Sequence, residues 1–197
     1  MLKVKARASS LSPPFYGFCH KVMVCLILLL ILPISSFSLQ ASNQNIQDHE
    51  LKAVYLFRFV FLTSWGNFAP TNKQFNFCSE ASLDVSYTLE ALINKKPAQA
   101  VFIPYSSVND IKQHHCHIIY SNSNNPLKIQ KFKTAQPHAI LVGDGKPFIS
   151  SGGMIAFIKV NNRIKPLISL ENLAPTELSL RSQLLSVSEI ASAKEKQ

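Results

Sequence analysis

Residues 137–160 read PHAILVGDGKPFISSGGMIAFIKV. An almost unbroken apolar run from His138 to Val142 enters a glycine turn at Gly143–Gly145, and a second apolar run starts just after Gly152 and Gly153. A strand with no polar alternation is covered on both faces, which is the habit of parallel sheets packed between helices. The same rhythm extends toward the N-terminus. Strands are expected at Gln74–Cys78, Gln99–Pro104 and His117–Tyr120, separated by helical stretches at Leu83–Asn94, Val108–Gln113 and Pro126–Thr134. Asp48 is placed to cap a further helix running to about Ser64, with aromatics on more than one side, so that helix is read as largely buried. Strands alternating with helices and joined by right-handed crossovers build a doubly wound sheet.

Toward the C-terminus the rhythm changes. MIAFIKV, the turn Asn161–Asn162 and RIKPLISL form a hairpin signal, in which Pro166 lacks an amide donor and assigns the second strand to an edge. Glu171–Ile190 are read as a closing helix or helix pair broken at Pro175. The expected fold is therefore α/β: a mostly parallel doubly wound sheet flanked by helices, with a C-terminal β-hairpin and a closing helix.

The chain has 197 residues, 47% hydrophobic and 16% charged, with a formal net charge of +9. That composition excludes a disordered tail, a collagen-like chain and a multi-span membrane protein. Residues 1–41 hold Lys3, Lys5, Arg7 and Lys21 and no acid, so +4 of the +9 lies there. The remaining charge is scattered, which describes a mildly basic globular domain rather than a nucleic-acid surface.

Residues 22–34, VMVCLILLLILPI, form an apolar run after Lys21 and before the small, polar stretch SSFSLQAS. A spanning helix needs about 20 apolar residues, and this run is shorter and contains Pro33. Residues 1–41 are read as a secretory signal peptide cleaved after Ala41, leaving a single domain at 42–197. Cys19 and Cys25 leave with the signal. Cys78 and Cys116 remain, and two thiols in an oxidising compartment are expected to pair. Closing a loop of about 38 residues stabilises a fold by roughly 4 kcal/mol in the chain-entropy picture.

Other constellations read as ordinary structure. His114, His115, Cys116 and His117 are metal-ligand types, but strand geometry sends alternate side chains to opposite faces, so at most two converge. Gly143, Asp144 and Gly145 lack the third glycine of a dinucleotide fingerprint, and no P-loop lysine and hydroxyl pair follows. Ser150 and Ser151 lack a nucleophile elbow, and His49–Glu50 lacks the second histidine of a zinc protease motif. Lys128, Lys131 and Lys133 around Phe132 read as the solvated face of a short helix. No catalytic set, cofactor or metal is expected, and no nucleic-acid partner.

Four segments in register resemble the YfiR-like family of small exported bacterial proteins. They are ELKAVYLFRFVFLTSWGNF from Glu50, FNFC at Phe75–Cys78, CHIIYS from Cys116, and ILVGDGKPFISSGGMIAF at Ile140–Phe157, over about residues 48–190. Pro166, Leu167 and Ser169 depart from the family's usual hairpin strand, and the second cysteine pair of some members is absent. The resemblance implies a Cys78–Cys116 disulfide, with the first and third parallel strands side by side. It implies a periplasmic regulatory partner, similar to repressors of an inner-membrane diguanylate cyclase in cyclic di-GMP signalling and biofilm control. Such a protein acts by protein contact without being an enzyme, is sensitive to redox state, and is reasonably expected to form a homodimer. Two other classes stand beside it. One is a small-ligand sensor, or accessory protein of a membrane signalling receptor, with a crevice walled near Tyr105 and Gly143–Pro147. The other is a metal or redox enzyme on the histidine cluster.

Overall fold

The structure is a computed structural model that describes residues 47–192. The expected signal peptide and its expected cleavage after Ala41, with Cys19 and Cys25, lie outside the described residues.

The first helix, α1 (Asp48–Phe59), starts one residue earlier than Asp48 capping implies. Gln47 is the N-cap, and its backbone N–H donates to Glu50 Oε2 at 3.0 Å. Asp48 sits in the first turn, where its charge suits the exposed amides. Ala53, Leu56 and Phe59 are fully buried, with Leu51, Tyr55 and Phe57 packed beside them. Beyond Phe59 the chain tightens into a 3-10 turn and a short strand, β1 (Thr63–Ser64). Trp65 Nε1 donates to the Val60 carbonyl at 2.7 Å and fixes that exit.

Strands β2 (Phe75–Glu80), β3 (Ala100–Tyr105), β4 (Ile118–Tyr120), β5 (Ile140–Asp144) and β6 (Ile155–Val160) are mutually parallel. They lie in the order β3-β2-β4-β5-β6, so the winding direction reverses between β2 and β4. Helix α2 (Asp84–Asn94) packs against α1, and Phe57 of α1 stacks on Phe77, which places both helices on one face. Cys78, the next residue, points to the other face, which carries α3 (Val108–Ile111), α4 (Pro126–Ala135) and α5 (Gly145–Ser150). The glycine turn after β5 thus opens a short helix, with Pro147 tolerated in its first turn. One apolar core runs through both layers.

β7 (Arg163–Ile168) pairs antiparallel with β6, as the hairpin signal requires. It is not the sheet edge that Pro166 suggested. The two-residue strand β9 (Glu189–Ile190) pairs with Leu167 and Ile168, just past the proline, where amide donors are available again. The expected closing helix or helix pair is two single turns, α6 (Leu170–Leu173) and α7 (Ser182–Leu185), with β8 (Ser179–Leu180) between them pairing with β1. Pro175 and the left-handed Glu177 (φ 64°) stop helical propagation, and Leu178 and Leu184 are buried in the core instead. Among the described residues no helix is long and apolar enough to cross a membrane.

Candidate functional site

β2 carries Cys78, and Cys116 lies just ahead of the adjacent β4. Both are 1% exposed and are joined as a disulfide with Cα atoms 5.8 Å apart, 38 residues apart in the chain. A residue that the sequence reading passed over brackets this bond. Gln136 caps α4 at its C-terminal end, and its Oε1 accepts from the Cys116 backbone N–H at 3.2 Å. Its Nε2 donates to the Ile111 carbonyl at 2.9 Å and to the His114 carbonyl at 2.7 Å. One buried amide therefore ties the disulfide to the ends of α3 and α4, using an acceptor and both donors. Reduction of so buried a bond requires local opening to admit the attacking thiolate.

The four-residue His/Cys cluster lies just ahead of β4 in bends and irregular backbone, outside the strand expected to start at His117, and its side chains still separate. His115 and His117 lie on one side with ring centroids 4.9 Å apart, and the Cys116 sulfur is committed to Cys78. His117 is buried, and its Nδ1 accepts from the Asn76 backbone N–H at 3.0 Å, which leaves the ring proton on Nε2. Trp65 and Phe75 meet the ring edge-on, each 5.2 Å away. Burial, with a smaller effect of His115, lowers its pKa to about 4. An imidazole with one nitrogen accepting and the other protonated has no lone pair for a metal. Among the described residues no group of three or more His, Cys, Asp or Glu converges as a metal site would.

At the carboxyl ends of the strands, the β2/β4 reversal is where open α/β sheets take ligands. Here that crevice is filled by the chain's own groups. Glu80 accepts from Ser121 Oγ at 2.8 Å and from the Asn122 backbone N–H at 3.2 Å, and pairs with Lys128 Nζ at 2.8 Å. Burial works to raise the Glu80 pKa, but Lys128, Ser121 and Asn122 together hold it below the ordinary carboxylate value. Tyr105, expected as a crevice wall, is buried with its hydroxyl donating to the Tyr120 carbonyl at 2.8 Å. Tyr120 donates to Asp144 Oδ2 at 2.7 Å, and Lys52 from α1 reaches Asp144 Oδ1 at 2.7 Å. Burial raises both tyrosine pKa values, so the phenols stay protonated and act as fixed donors.

The glycines beside this crevice serve packing. The Phe148 ring lies between Gly143 and Gly153, and a Cβ at either position would overlap it. Gly145 (φ 76°) and Gly152 (φ 102°) hold the left-handed turns on either side of α5. Ser151 Oγ donates to the Asn124 carbonyl at 2.8 Å and Ser150 Oγ to the Lys146 carbonyl at 3.4 Å. Lys133 Nζ reaches the Gly152 carbonyl at 3.3 Å, and Lys131 is exposed.

A solved structure titled as a conserved domain protein from Vibrio cholerae O1 biovar El Tor str. N16961 shares 9% identity with this chain at a TM-score of 0.48. The match covers 74% of this chain and 60% of that one. No curated protein matches. The sequence model described as YfiR/HmsC-like matches residues 49–189, from the start of α1 to β9. The chain, with its five parallel strands and the Cys78–Cys116 bridge between the first and third of them, belongs to the YfiR/HmsC-like family.

Proposed function

We propose that this chain is exported to the periplasm, loses residues 1–41, and as the domain 42–197 restrains an inner-membrane diguanylate cyclase, or a similar membrane signalling protein, by direct contact. The observation that carries this reading is the family match across residues 49–189. The site is consistent with a protein that works by shape. Its buried tyrosines are fixed donors, its best-placed carboxylate is held in an ion pair, and its cysteines are bonded to each other. Such a regulator acts by binding one conformation of its partner more tightly than another. The disulfide enters through Gln136, since loosening Cys116 releases the bracket that joins α3 and α4. Reduction is thereby a route to a weaker contact surface.

The test is affinity capture from cells expressing the full chain with its own export segment, with and without reductant, followed by mass spectrometry. Recovery of an inner-membrane cyclase that is lost under reductant is the expected result. Recovery of no membrane protein in either condition overturns the reading and moves weight to a ligand-binding sensor. A ligand would then be sought by thermal shift, because tight binding raises the melting temperature by mass action.

A further inference from the structure

Between α3 and α4 the surface opens into a groove of about 680 Å³ with Val108 on one wall and Ala135 on the other. Two cations edge it, Lys112 after α3 and Lys131 on α4, and no carboxylate lines it. Both lysines are exposed, and neither has a partner among the described residues. The nearby Asp110 does not answer them, because it accepts from the Ser106 and Ser107 backbone N–H groups and from Ser107 Oγ at 2.8–2.9 Å. The α4 wall continues as Leu127, Lys131 and Thr134 at helical spacing, and Leu127 is 73% exposed. A trough with Val108 and Ala135 as its apolar walls, an exposed leucine one helical turn beyond Lys131 on α4, and two unanswered ammonium groups on its rim is complementary to one kind of occupant.

We propose that the α3–α4 groove is the docking surface for an acidic amphipathic segment of a protein partner. Such a segment seats an apolar side chain between Val108 and Ala135 and sets carboxylates on Lys112 and Lys131. A concave trough between two helices favours a peptide segment over a bilayer, which meets a convex or flat basic surface more fully. The inference rests on the reading of this chain as a contact regulator and assigns the surface of contact. It also places that surface beside the Gln136 bracket, since the groove reaches Ala135 and Lys112, the chain neighbours of Gln136 and Ile111.

The experiment places a benzoylphenylalanine photocrosslinker at Thr134, inside the groove, or at Tyr87 on α2, on the opposite face, in the full chain expressed in living cells. The expected adduct from Thr134 joins a membrane-protein segment that carries at least two Asp or Glu beside an apolar residue. Lys112→Glu with Lys131→Glu lowers its yield at least about tenfold through like-charge contact, whereas Lys95→Glu with Lys96→Glu leaves it unchanged. The pair Lys112→Gln with Lys131→Gln falls between, and melting curves verify that each variant folds. An adduct with phospholipid, with a second copy of this chain, or with a segment lacking carboxylates overturns the proposal, as does a yield indifferent to charge reversal. Capture of a membrane protein from Tyr87 alone overturns the groove assignment and leaves the regulatory reading standing. Capture of none from either position overturns both.

Discussion

Acid acts on this fold through His117. The ring is buried against Trp65 and Phe75, and its Nδ1 must stay unprotonated to accept from Asn76. The folded chain holds its pKa at about 4, against 6.5 for a free side chain, so the unfolded chain binds the proton first as pH falls. Its contribution is fully present above pH 6.5 and is lost as pH drops to about 4. The loss amounts to about 3 kcal/mol at most. Denaturant unfolding at pH 7, 6, 5 and 4 is expected to show a steeper decline for the wild type than for His117→Phe, and equal slopes would contradict this. At Gly153, a Cβ overlaps the Phe148 ring, so Gly153→Ala is expected to cost about 1–3 kcal/mol. That corresponds to a melting point lower by roughly 3–10 °C; an unchanged melting point would remove the packing role assigned to this glycine. The sequence shows that glycines stand here but not why. Turn chemistry and close packing leave the same residue, and only the return of Phe148 between Gly143 and Gly153 separates them.

On the disulfide face one side chain joins the ends of α3 and α4. Gln136→Leu leaves the Cys116 N–H and the His114 carbonyl without their partner, and the Ile111 carbonyl with only the His114 N–H, at a cost of about 1–3 kcal/mol for buried unsatisfied groups. Amide hydrogen exchange is expected to speed up at Cys116 and in α3 before β5 or β6 responds. Uniform exchange across the sheet would count against the bracket. No local pattern marks this residue, because a polar side chain at a helix end reads as solvated and its partners lie 20 to 25 positions away. The parallel strands, by contrast, are legible one at a time, since continuous apolar runs such as Ile140–Val142 have no reading other than burial on both faces. The C-terminal elements fall between these cases. Apolar spacing around Leu178 and Leu184 suits a helix, and the left-handed Glu177 and the pairing of β8 with β1 override it.

For the whole molecule, the decisive bond is Cys78–Cys116. Cysteine counting and an expected export make the pair legible from sequence, and the structure adds what the pair supports: the join between β2 and β4 and, through Gln136, the ends of α3 and α4. Cys78→Ser with Cys116→Ser is expected to cost about 2–5 kcal/mol, seen as an earlier denaturant midpoint with little change in slope. The regulatory reading makes its own demand on living cells. The most direct measurement is the cellular cyclic di-GMP level in a strain deleted for this chain, then complemented with wild type or with the double serine variant. The account predicts a rise on deletion, restoration by the wild type, and incomplete restoration by the double serine variant. A cyclic di-GMP level that deletion does not move would contradict it.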